Sequence, residues 1–244
     1  MSVPRLHVPQ QLDAGSDITV EGQPAHHVTH VLRMRRGAAI RVFDGAGNEH
    51  HAVLADIVRG RITLRIGADI PGDRESALHI MLAQGIARHD RMDLILQKAV
   101  ELGVRTIQPL WLQRSQTHLK GERLEKRLQH WRGVIIGACE QCGRNTLPQL
   151  LLPTGLPEWL ETLSPASLKL LLQPDGSETL HSLTRPAVGI TLLAGPEGGL
   201  NPDEQSLARS HGFTGIRLGP RILRTETAAL VAIAGLQTLW GDFR

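Results

Sequence analysis

The alternation of short apolar runs with helical segments after residue 76 is the feature that most constrains the fold. Each run is apolar throughout, rather than at every second position, and they occupy residues 77–84, 106–112, 168–172, 189–194 and 214–218. Amphipathic segments lie between them, the clearest at 91–102 and 124–141. Strands that are apolar on both faces and separated by helices are typical of a parallel sheet with helices on both faces.

The first seventy residues have a different pattern, which predicts a β domain. Residues 39–43 form a short apolar run that ends in the turn sequence DGAGN, and residues 51–58 and 61–66 alternate around Arg59-Gly60 as hairpin strands do. Residues 25–34 have apolar positions at helical spacing. The sequence PGDRES at 71–76 is typical of a linker. We therefore expect a domain at 1–72 and an α/β domain at 73–244.

The distribution of charge points to an anionic partner without identifying it. The chain has 27 basic and 24 acidic residues, and the basic excess lies between residues 76 and 150. A second basic cluster contains Arg33, Arg35, Arg36 and Arg41. This pattern suits RNA, although a solvated basic face explains it nearly as well. Aromatic residues make up only 3% and Tyr is absent, which argues against a surface that grips single strands by stacking bases.

Several structural classes are excluded by cysteine, histidine and hydropathy patterns. Two cysteines three residues apart, Cys139 and Cys142, make neither a disulfide framework nor a four-cysteine zinc site. His26, His27 and His30 invite a metal interpretation, but no carboxylate or thiol stands at ligand spacing, so a polar helix face is favoured and no metal is expected. No apolar run approaches the roughly 20 residues of a membrane span, and the N-terminus has no secretory core. We expect a cytoplasmic protein without membrane contact.

Two glycine-bearing loops are the best candidates for a binding site. The first, GPEGG at 195–199, follows a buried strand and leads into Asn201-Pro202-Asp203-Glu204, which predicts a capped helix start. The second lies within GIRLGPRILRTETA at 215–228, where Thr225 or Thr227 is expected to cap a helix. Ligands in open α/β sheets bind at the carboxyl ends of strands, and glycine allows close backbone approach. An ordinary strand–turn–helix junction explains either loop alone.

Common nucleotide and hydrolase motifs are absent. The chain has no G-x-G-x-x-G after its first parallel strand and no G-x-x-x-x-G-K-[ST], which argues against dinucleotide and P-loop sites. It also lacks G-x-S-x-G and H-E-x-x-H. The two glycine loops therefore need a different ligand.

The motifs resemble those of one family. GPEGGL at 195–200 and LGPRILRTETA at 218–228 resemble the two C-terminal loops of SPOUT methyltransferases, and more narrowly those of the RsmE family, which methylates N3 of a uridine in 16S ribosomal RNA. The similarity extends over nearly the whole chain, through PRLHV at 4–8, AHHVTHVLRMRRG at 25–37, FDGAGNEHHA at 43–52, QKAVELGV at 97–104 and EQCGRNTLP at 140–148. Cys142 stands where the family often has serine, which suggests that its thiol is no required nucleophile.

The resemblance implies a fold, a cofactor and partners. The expected fold is a PUA-like β-barrel at 1–72 followed by a SPOUT domain with a deep trefoil knot at 73–244, a topology that general rules rank as very rare. The expected partners are 16S rRNA and a second copy in a homodimer. S-adenosyl-L-methionine is expected to contact Leu172, Gly195, Pro196, Glu197, Gly198, Gly199, Leu218, Gly219, Ile222, Leu223, Thr227 and Ala228.

Candidate catalytic residues follow from the chemistry that the resemblance implies. Uridine N3 carries a proton, so a base or a cation that stabilises the resulting imidate should stand nearby. Arg224 is the candidate cation, or a phosphate contact, and Glu226 or Glu197 the candidate base. Glu140 and Arg144 are further candidates from a partner subunit, and Arg33, Arg35 and Arg36 are expected to contact RNA. Alternatives are a methyltransferase acting on transfer RNA or a ribose 2′-hydroxyl, and a non-catalytic ribosome-assembly factor.

Overall fold

The computed structural model describes residues 3–115 and 119–243. The chain packs as two compact units, one made of Met1–Glu75 with Ile136–Leu147 and the other of Ser76–Ile135 with Pro148–Arg244. Within the described ranges, no helix is both long enough and apolar enough to cross a membrane.

The first unit is built on a five-stranded sheet. Its strands are β1 (Arg5–His7), β2 (Asp17–Glu21), β3 (Ala39–Phe43), β4 (Glu49–Val58) and β5 (Arg61–Asp69). They lie in the order β1-β3-β4-β5-β2, with β1 and β3 parallel and the other pairs antiparallel. Alternate residues of these strands, among them Leu54, Ile62 and Leu64, are fully buried in one apolar core. The hairpin predicted around Arg59-Gly60 is confirmed by β4 and β5.

The helix predicted at 25–34 lies three residues earlier, at 22–31, and is less regular than expected. The chain forms α1 (Gly22–His26) and then a π-helical turn (His27–Val31). Val28, Thr29 and Val31 are β-branched, which lowers their preference for a helix, and the Thr29 hydroxyl donates to the Ala25 carbonyl at 2.8 Å. The local sequence therefore supports helical turns but not a long α-helix.

A distant segment completes the first unit. Helix α3 (Glu122–Cys142) begins in the second unit, and its last turns, from Ile136, pack with the N-terminal strands. The Arg5 guanidinium donates to the Cys139 carbonyl at 2.5 Å and to the Arg144 carbonyl at 3.1 Å, and its Nε pairs with Glu49 at 2.9 Å. Because all of these partners are largely buried, Arg5 ties the segment firmly to the sheet.

The second unit is the predicted parallel α/β structure. Its strands are β6 (Ile80–Gly85), β7 (Thr106–Trp111), β8 (Gln149–Leu150), β9 (Thr154–Gly155), β10 (Leu168–Leu172), β11 (Ile190–Ala194) and β12 (Thr214–Ile216). They pair in parallel in the order β12-β10-β11-β6-β7-β8, and β9 also pairs with β7. The remaining helices are α2 (His89–Glu101), α4 (Leu156–Leu160), α5 (Pro202–Ser210) and α6 (Thr225–Trp240), with a 3-10 turn at Leu180–Ser182.

Helices cover both faces of this sheet. On one face, Ala83, Leu171 and Leu193 pack against residues of α4 and α5, such as Trp159 and Ala208, and against Phe213 just before β12. The neighbouring strand residues point to the other face, where α6 packs against β11 and α2. Every residue of β11 is buried, as a central strand covered on both sides requires.

Candidate active site

A cavity of about 480 Å³ lies at the carboxyl ends of β10, β11 and β12. Parallel strands end at the same edge of the sheet, so the loops that follow these three strands meet there. Of the predicted cofactor residues, all but Thr227 line this cavity, namely Leu172, Gly195, Pro196, Glu197, Gly198, Gly199, Leu218, Gly219, Ile222, Leu223 and Ala228. The structure thus brings the two glycine loops together around one space.

The first loop depends on two glycines for different reasons. A Cβ on Gly195 would lie 2.8 Å from Gly199 Cα, a contact with backbone that no side-chain movement can relieve. Gly199 itself has φ of +67°, in the left-handed region that favours glycine. Its N–H donates to the Pro196 carbonyl at 2.8 Å and closes a tight turn. The loop is therefore a compact backbone cradle that larger residues would fill or distort.

Gln84 and Thr225 hold the start of this loop. The Gln84 amide donates to the Gly195 carbonyl at 3.0 Å and to the Thr225 hydroxyl at 3.1 Å, and the Thr225 hydroxyl also donates to the Gly195 carbonyl. Gln84 is fully buried at the end of β6. The sequence interpretation missed both roles, although a glutamine inside an apolar strand indicates a buried hydrogen-bonding partner.

Glu197 is held by the N-terminus of α2. Its carboxylate accepts a hydrogen bond from the Arg88 N–H at 2.9 Å and lies 3.2 Å from the Arg91 guanidinium. Burial raises the pKa of Glu197, but hydrogen bonds from the Arg88 and Glu197 N–H groups and the charges of Arg91 and Arg88 outweigh it, so the pKa is lowered. A lowered pKa makes a weaker base, which favours a loop-holding role for Glu197 over proton removal.

The cavity wall is strongly cationic. Among the described residues that line it, the charged ones are Arg91, Arg114, Arg221, Arg224 and Glu197. The Arg114 guanidinium donates to the Gly198 carbonyl at 2.7 Å and so provides a second contact that holds the loop. Arg114 was not predicted, yet it follows strand β7, and the strand-end rule that selected the glycine loops applies to it as well.

The N-termini of α5 and α6 differ in how they are capped. Asn201 and Glu204 exchange side-chain to backbone hydrogen bonds at 2.8 and 2.9 Å, which confirms the predicted cap of α5. The predicted cap of α6 is wrong, because α6 begins at Thr225 with Arg224 as its N-cap residue. The Thr225 hydroxyl is used by the Gly195 carbonyl instead, and Thr227 is an exposed residue inside the helix.

Only some of the catalytic candidates line the cavity. Arg224, which is exposed, and Glu197, which is partly buried, line it. Glu226 is 9% exposed, lies on the buried side of α6 with Ala229 and Ile233, and is not among the lining residues. Its Oε2 atom is buried and has no hydrogen-bond partner within residues 3–115 and 119–243. A role for Glu226 as a base stays a prediction.

The remaining candidates belong to the first unit. Glu140 accepts a hydrogen bond from the His7 N–H at 3.0 Å, and burial raises the pKa of its carboxyl group. The Arg144 guanidinium pairs with Glu75 at 2.5 Å, and both side chains are buried. A contribution of Glu140 and Arg144 to a partner's site therefore remains a prediction.

The basic cluster and the histidines also lie in the first unit. Arg33, Arg35 and Arg36 are exposed. The rings of His26 and His30 stack with their centroids 4.3 Å apart. In the described part of the chain, no three His, Cys, Asp or Glu side chains are grouped as a metal site would need.

Comparisons with known proteins agree with this geometry. An RNA methyltransferase domain family matches residues 74–237, and an RNA methyltransferase PUA domain family matches residues 20–67. The ribosomal RNA small subunit methyltransferase E of Buchnera aphidicola is 35% identical over 99% of this chain and 96% of its own length.

Solved structures show the same similarity. The enzyme of that name from Neisseria gonorrhoeae, bound to S-adenosyl methionine, is 42% identical with a TM-score of 0.96, and both chains are covered completely. A methyltransferase structure from Legionella pneumophila in complex with SAM is 37% identical, also with a TM-score of 0.96 and complete coverage of both chains.

These matches confirm the predicted fold class, a PUA-like domain followed by a SPOUT domain. The RNA methyltransferase domain family covers more than half of the chain, including both glycine loops, and a full-length relative exceeds 30% identity. The chain therefore belongs to the ribosomal RNA small subunit methyltransferase E family of RNA methyltransferases, as its motifs predicted.

Proposed function

We propose that this protein transfers a methyl group from S-adenosyl-L-methionine to N3 of a uridine in 16S ribosomal RNA, in the cytoplasm. The observation that carries the proposal is the glycine-lined cavity with four arginines at the carboxyl edge of the sheet. Relatives with the same fold bind S-adenosyl methionine and are named for the RNA of the small ribosomal subunit. A backbone cradle beside concentrated positive charge suits an adenosyl cofactor next to a polyanion.

The residues of the cavity fit this cofactor. Leu172, Leu218 and Leu223 supply apolar wall, and the glycines of the two loops leave backbone N–H and C=O groups accessible. A Cβ on Gly195 would lie 2.8 Å from Gly199 Cα, so the close approach of these two glycines requires the absence of a side chain. When bound, the cofactor supplies an electrophilic methyl group on a sulfonium centre. The protein must align the acceptor nitrogen with that group and keep water away.

Deprotonation of the acceptor is the chemical task of the side chains. In our proposal Arg224 donates to the uracil oxygen that gains charge as N3 loses its proton, or to a neighbouring phosphate. Glu226 receives the proton, for which its unpartnered Oε2 is available once the carboxyl group is reached by substrate or by water. Glu197, with its lowered pKa, stays ionised and holds the loop.

The N-terminal domain holds the RNA in this proposal. Arg33, Arg35 and Arg36 are exposed cations that follow one another closely after the π-helical turn. Cations spaced in this way neutralise successive phosphates without reading sequence. The RNA would then be held at the 1–72 domain while one uridine enters the methyltransferase cavity of the 73–244 domain.

We also propose that two copies associate through α6. Its buried side carries Ala229, Ile233 and Leu236, and on its outer side Leu230 and Val231 are again apolar. Thr227 and Thr238 also lie on this outer side, but Leu230, Val231 and Ala234 leave a largely apolar face, which is normally covered. A second copy of the same helix supplies a matching apolar surface, as a two-fold interface requires.

The substitution Val231→Asp tests this interface. Val231 is 44% exposed, so the aspartate is tolerated in a monomer but leaves an unpaired charge in a helix–helix contact. We expect the wild-type chain of 26.7 kDa to sediment as a dimer and the variant as a monomer. Val188→Asp is the control, because Val188 is an apolar residue that is 60% exposed and lies outside the cavity and α6. This variant should sediment with the same mass as the wild-type dimer. A monomeric wild-type protein would contradict the proposal.

Mass spectrometry of ribosomal RNA nucleosides tests the reaction itself. Cells that lack this protein should lose N3-methyluridine from small-subunit RNA, and the wild-type gene should restore it. Loss of a methylated nucleoside from transfer RNA, or of a 2′-O-methyl group, would contradict the proposed target. If no nucleoside changes and calorimetric titration shows no binding of S-adenosyl-L-methionine, the protein is a non-catalytic assembly factor and the proposal is wrong.

A further inference from the structure

Ile222 is the most exposed large apolar side chain in the described part of the protein. It is 84% exposed, compared with 66% for Leu152, the next highest. It lies in the loop between β12 and α6 and lines the cavity, so its side chain stands at the cavity mouth. Arg221 precedes it and Arg224 follows two residues later, and both are exposed and line the same cavity.

The packing of the loop does not explain an isoleucine at this position. Leu218 and Leu223 are partly buried and supply the apolar wall, whereas the Ile222 side chain lies almost entirely in solvent. A single exposed apolar side chain is common on a protein surface, whereas an apolar side chain that lines a cavity is placed to contact a ligand. Because the first glycine loop forms the cradle and Leu218 and Leu223 form the apolar wall, the Ile222 side chain is available for a different ligand group.

The chemistry of the proposed reaction supplies that group. N3 lies on the base-pairing edge of uracil, so the nucleotide must leave its pair and its stack before the methyl group can reach it. An extruded base needs a surface against which it can pack. Apolar side chains, like aromatic ones, provide such a surface. Among the described residues that line the cavity there is no aromatic side chain. Ile222 is therefore the available apolar surface at the cavity mouth.

We infer that the Ile222 side chain packs against the face of the extruded uracil, while Arg221 and Arg224 contact RNA on either side. The inference rests on the proposed function and adds a substrate-contacting residue to it. In this arrangement Leu218 and Leu223 lie towards the cofactor, and the exposed Ile222 side chain lies towards the RNA. Ile222 thus becomes a positioning residue for the substrate, in place of the cofactor contact that the motif implied.

The experiment compares three variants of the full-length protein. Ile222→Ala removes the apolar contact, Ile222→Leu keeps its size, and Leu152→Ala changes an exposed apolar residue outside the cavity. The substrate is small-subunit RNA from cells that lack this protein, with S-adenosyl-L-methionine as methyl donor. Turnover, RNA affinity, cofactor affinity by calorimetry and mass by sedimentation are measured for each variant.

We expect Ile222→Ala to lower kcat/KM for RNA by about tenfold, the effect of losing a few apolar carbon contacts. Ile222→Leu should retain most of the activity, and Leu152→Ala should behave as wild type. Neither the cofactor affinity nor the mass of the assembly measured by sedimentation should change in any variant.

Three results would overturn the inference. The first is a wild-type value of kcat/KM in Ile222→Ala. The second is a loss of cofactor affinity in this variant as large as its loss of kcat/KM. The third is dissociation of a dimer that accounts for the lost turnover. If the wild-type protein itself methylates no uridine in this RNA, the proposed function fails, and RNA affinity decides the inference. A weaker RNA complex for Ile222→Ala but not for Leu152→Ala still supports the contact, and equal affinities refute it.

Discussion

At the scale of single residues, the site depends on glycines, which have no side chain, as much as on the side chains around them. Gly195 allows the loop to fold back on Gly199, and Gly199 adopts a backbone conformation that other residues rarely enter. Arg91, Arg114 and Gln84 then hold the loop through contacts to Glu197, Gly198 and Gly195. These contacts limit the movement of the loop, which lowers the free-energy cost of ordering it on binding.

Gly195→Ala tests the cradle. The new Cβ would lie 2.8 Å from Gly199 Cα, so the loop must move, and we expect cofactor affinity to fall by at least tenfold. Calorimetric titration with S-adenosyl-L-methionine measures it. Gly133→Ala is the control, because a Cβ at this exposed position of α3 meets no atom within 4 Å. The control should bind normally and unfold at a slightly higher temperature, since alanine favours a helix. Normal affinity in Gly195→Ala would show that the loop does not form the cofactor site.

Glu226→Gln tests the proposed base. Glutamine keeps the shape of the side chain but accepts no proton, so turnover should fall by about a hundredfold or more while cofactor affinity is retained. Glu101→Gln is the control, because Glu101 pairs with Lys98 at 2.8 Å outside the cavity and should be dispensable for turnover. Single-turnover methylation assays measure both. Full activity in Glu226→Gln would remove this residue from the reaction.

At the scale of secondary-structure elements, the start of α6 is linked to the loop after β11. The Thr225 hydroxyl does not cap its own helix but bonds to the Gly195 carbonyl, which Gln84 also contacts. This arrangement joins β6, β11 and α6 at one point. A helix that begins on such a link transmits the position of the loop to its own first turn, where Glu226 lies.

Thr225→Val tests this link between elements. Valine has nearly the same shape but no hydroxyl, so the Gly195 carbonyl loses one donor and keeps Gln84. We expect a loss of about 1 kcal/mol in the free energy of unfolding and weaker cofactor binding. Thr238→Val is the control, because that hydroxyl bonds at 2.9 Å to the Ala234 carbonyl of its own helix. Denaturant unfolding and calorimetry compare the two, and equal behaviour would show that the link contributes nothing.

At the scale of the whole molecule, the chain divides the proposed work between two units. The sheet of the second unit forms the cavity, and the first unit carries the exposed cluster Arg33, Arg35 and Arg36. Charge near the RNA then controls affinity, whereas the glycine loops control chemistry. The two contributions should be separable by mutation.

Replacing Arg33, Arg35 and Arg36 together by glutamine tests this division. Loss of three phosphate contacts should weaken RNA binding and make the slope of log affinity against log salt shallower by about 2 to 3. Cofactor affinity should not change. Arg65→Gln is the control, because its guanidinium already pairs with Asp17 at 2.9 Å. An unchanged slope in the triple variant would show that these arginines do not hold the RNA.

The amino-acid sequence by itself determined the elements and the position of the site along the chain. Local patterns are short-range, so apolar runs predicted β6, β7, β10 and β11 to within a few residues, and glycine clusters marked both loops. The tertiary structure alone decided which groups meet there. Gln84, Arg91 and Arg114 reach the loop from distant positions, and Thr225 bonds to Gly195 instead of capping its helix, because side-chain contacts depend on strand order and helix packing. Likewise, residues 136–147 pack with the N-terminal strands through contacts that no local pattern encodes.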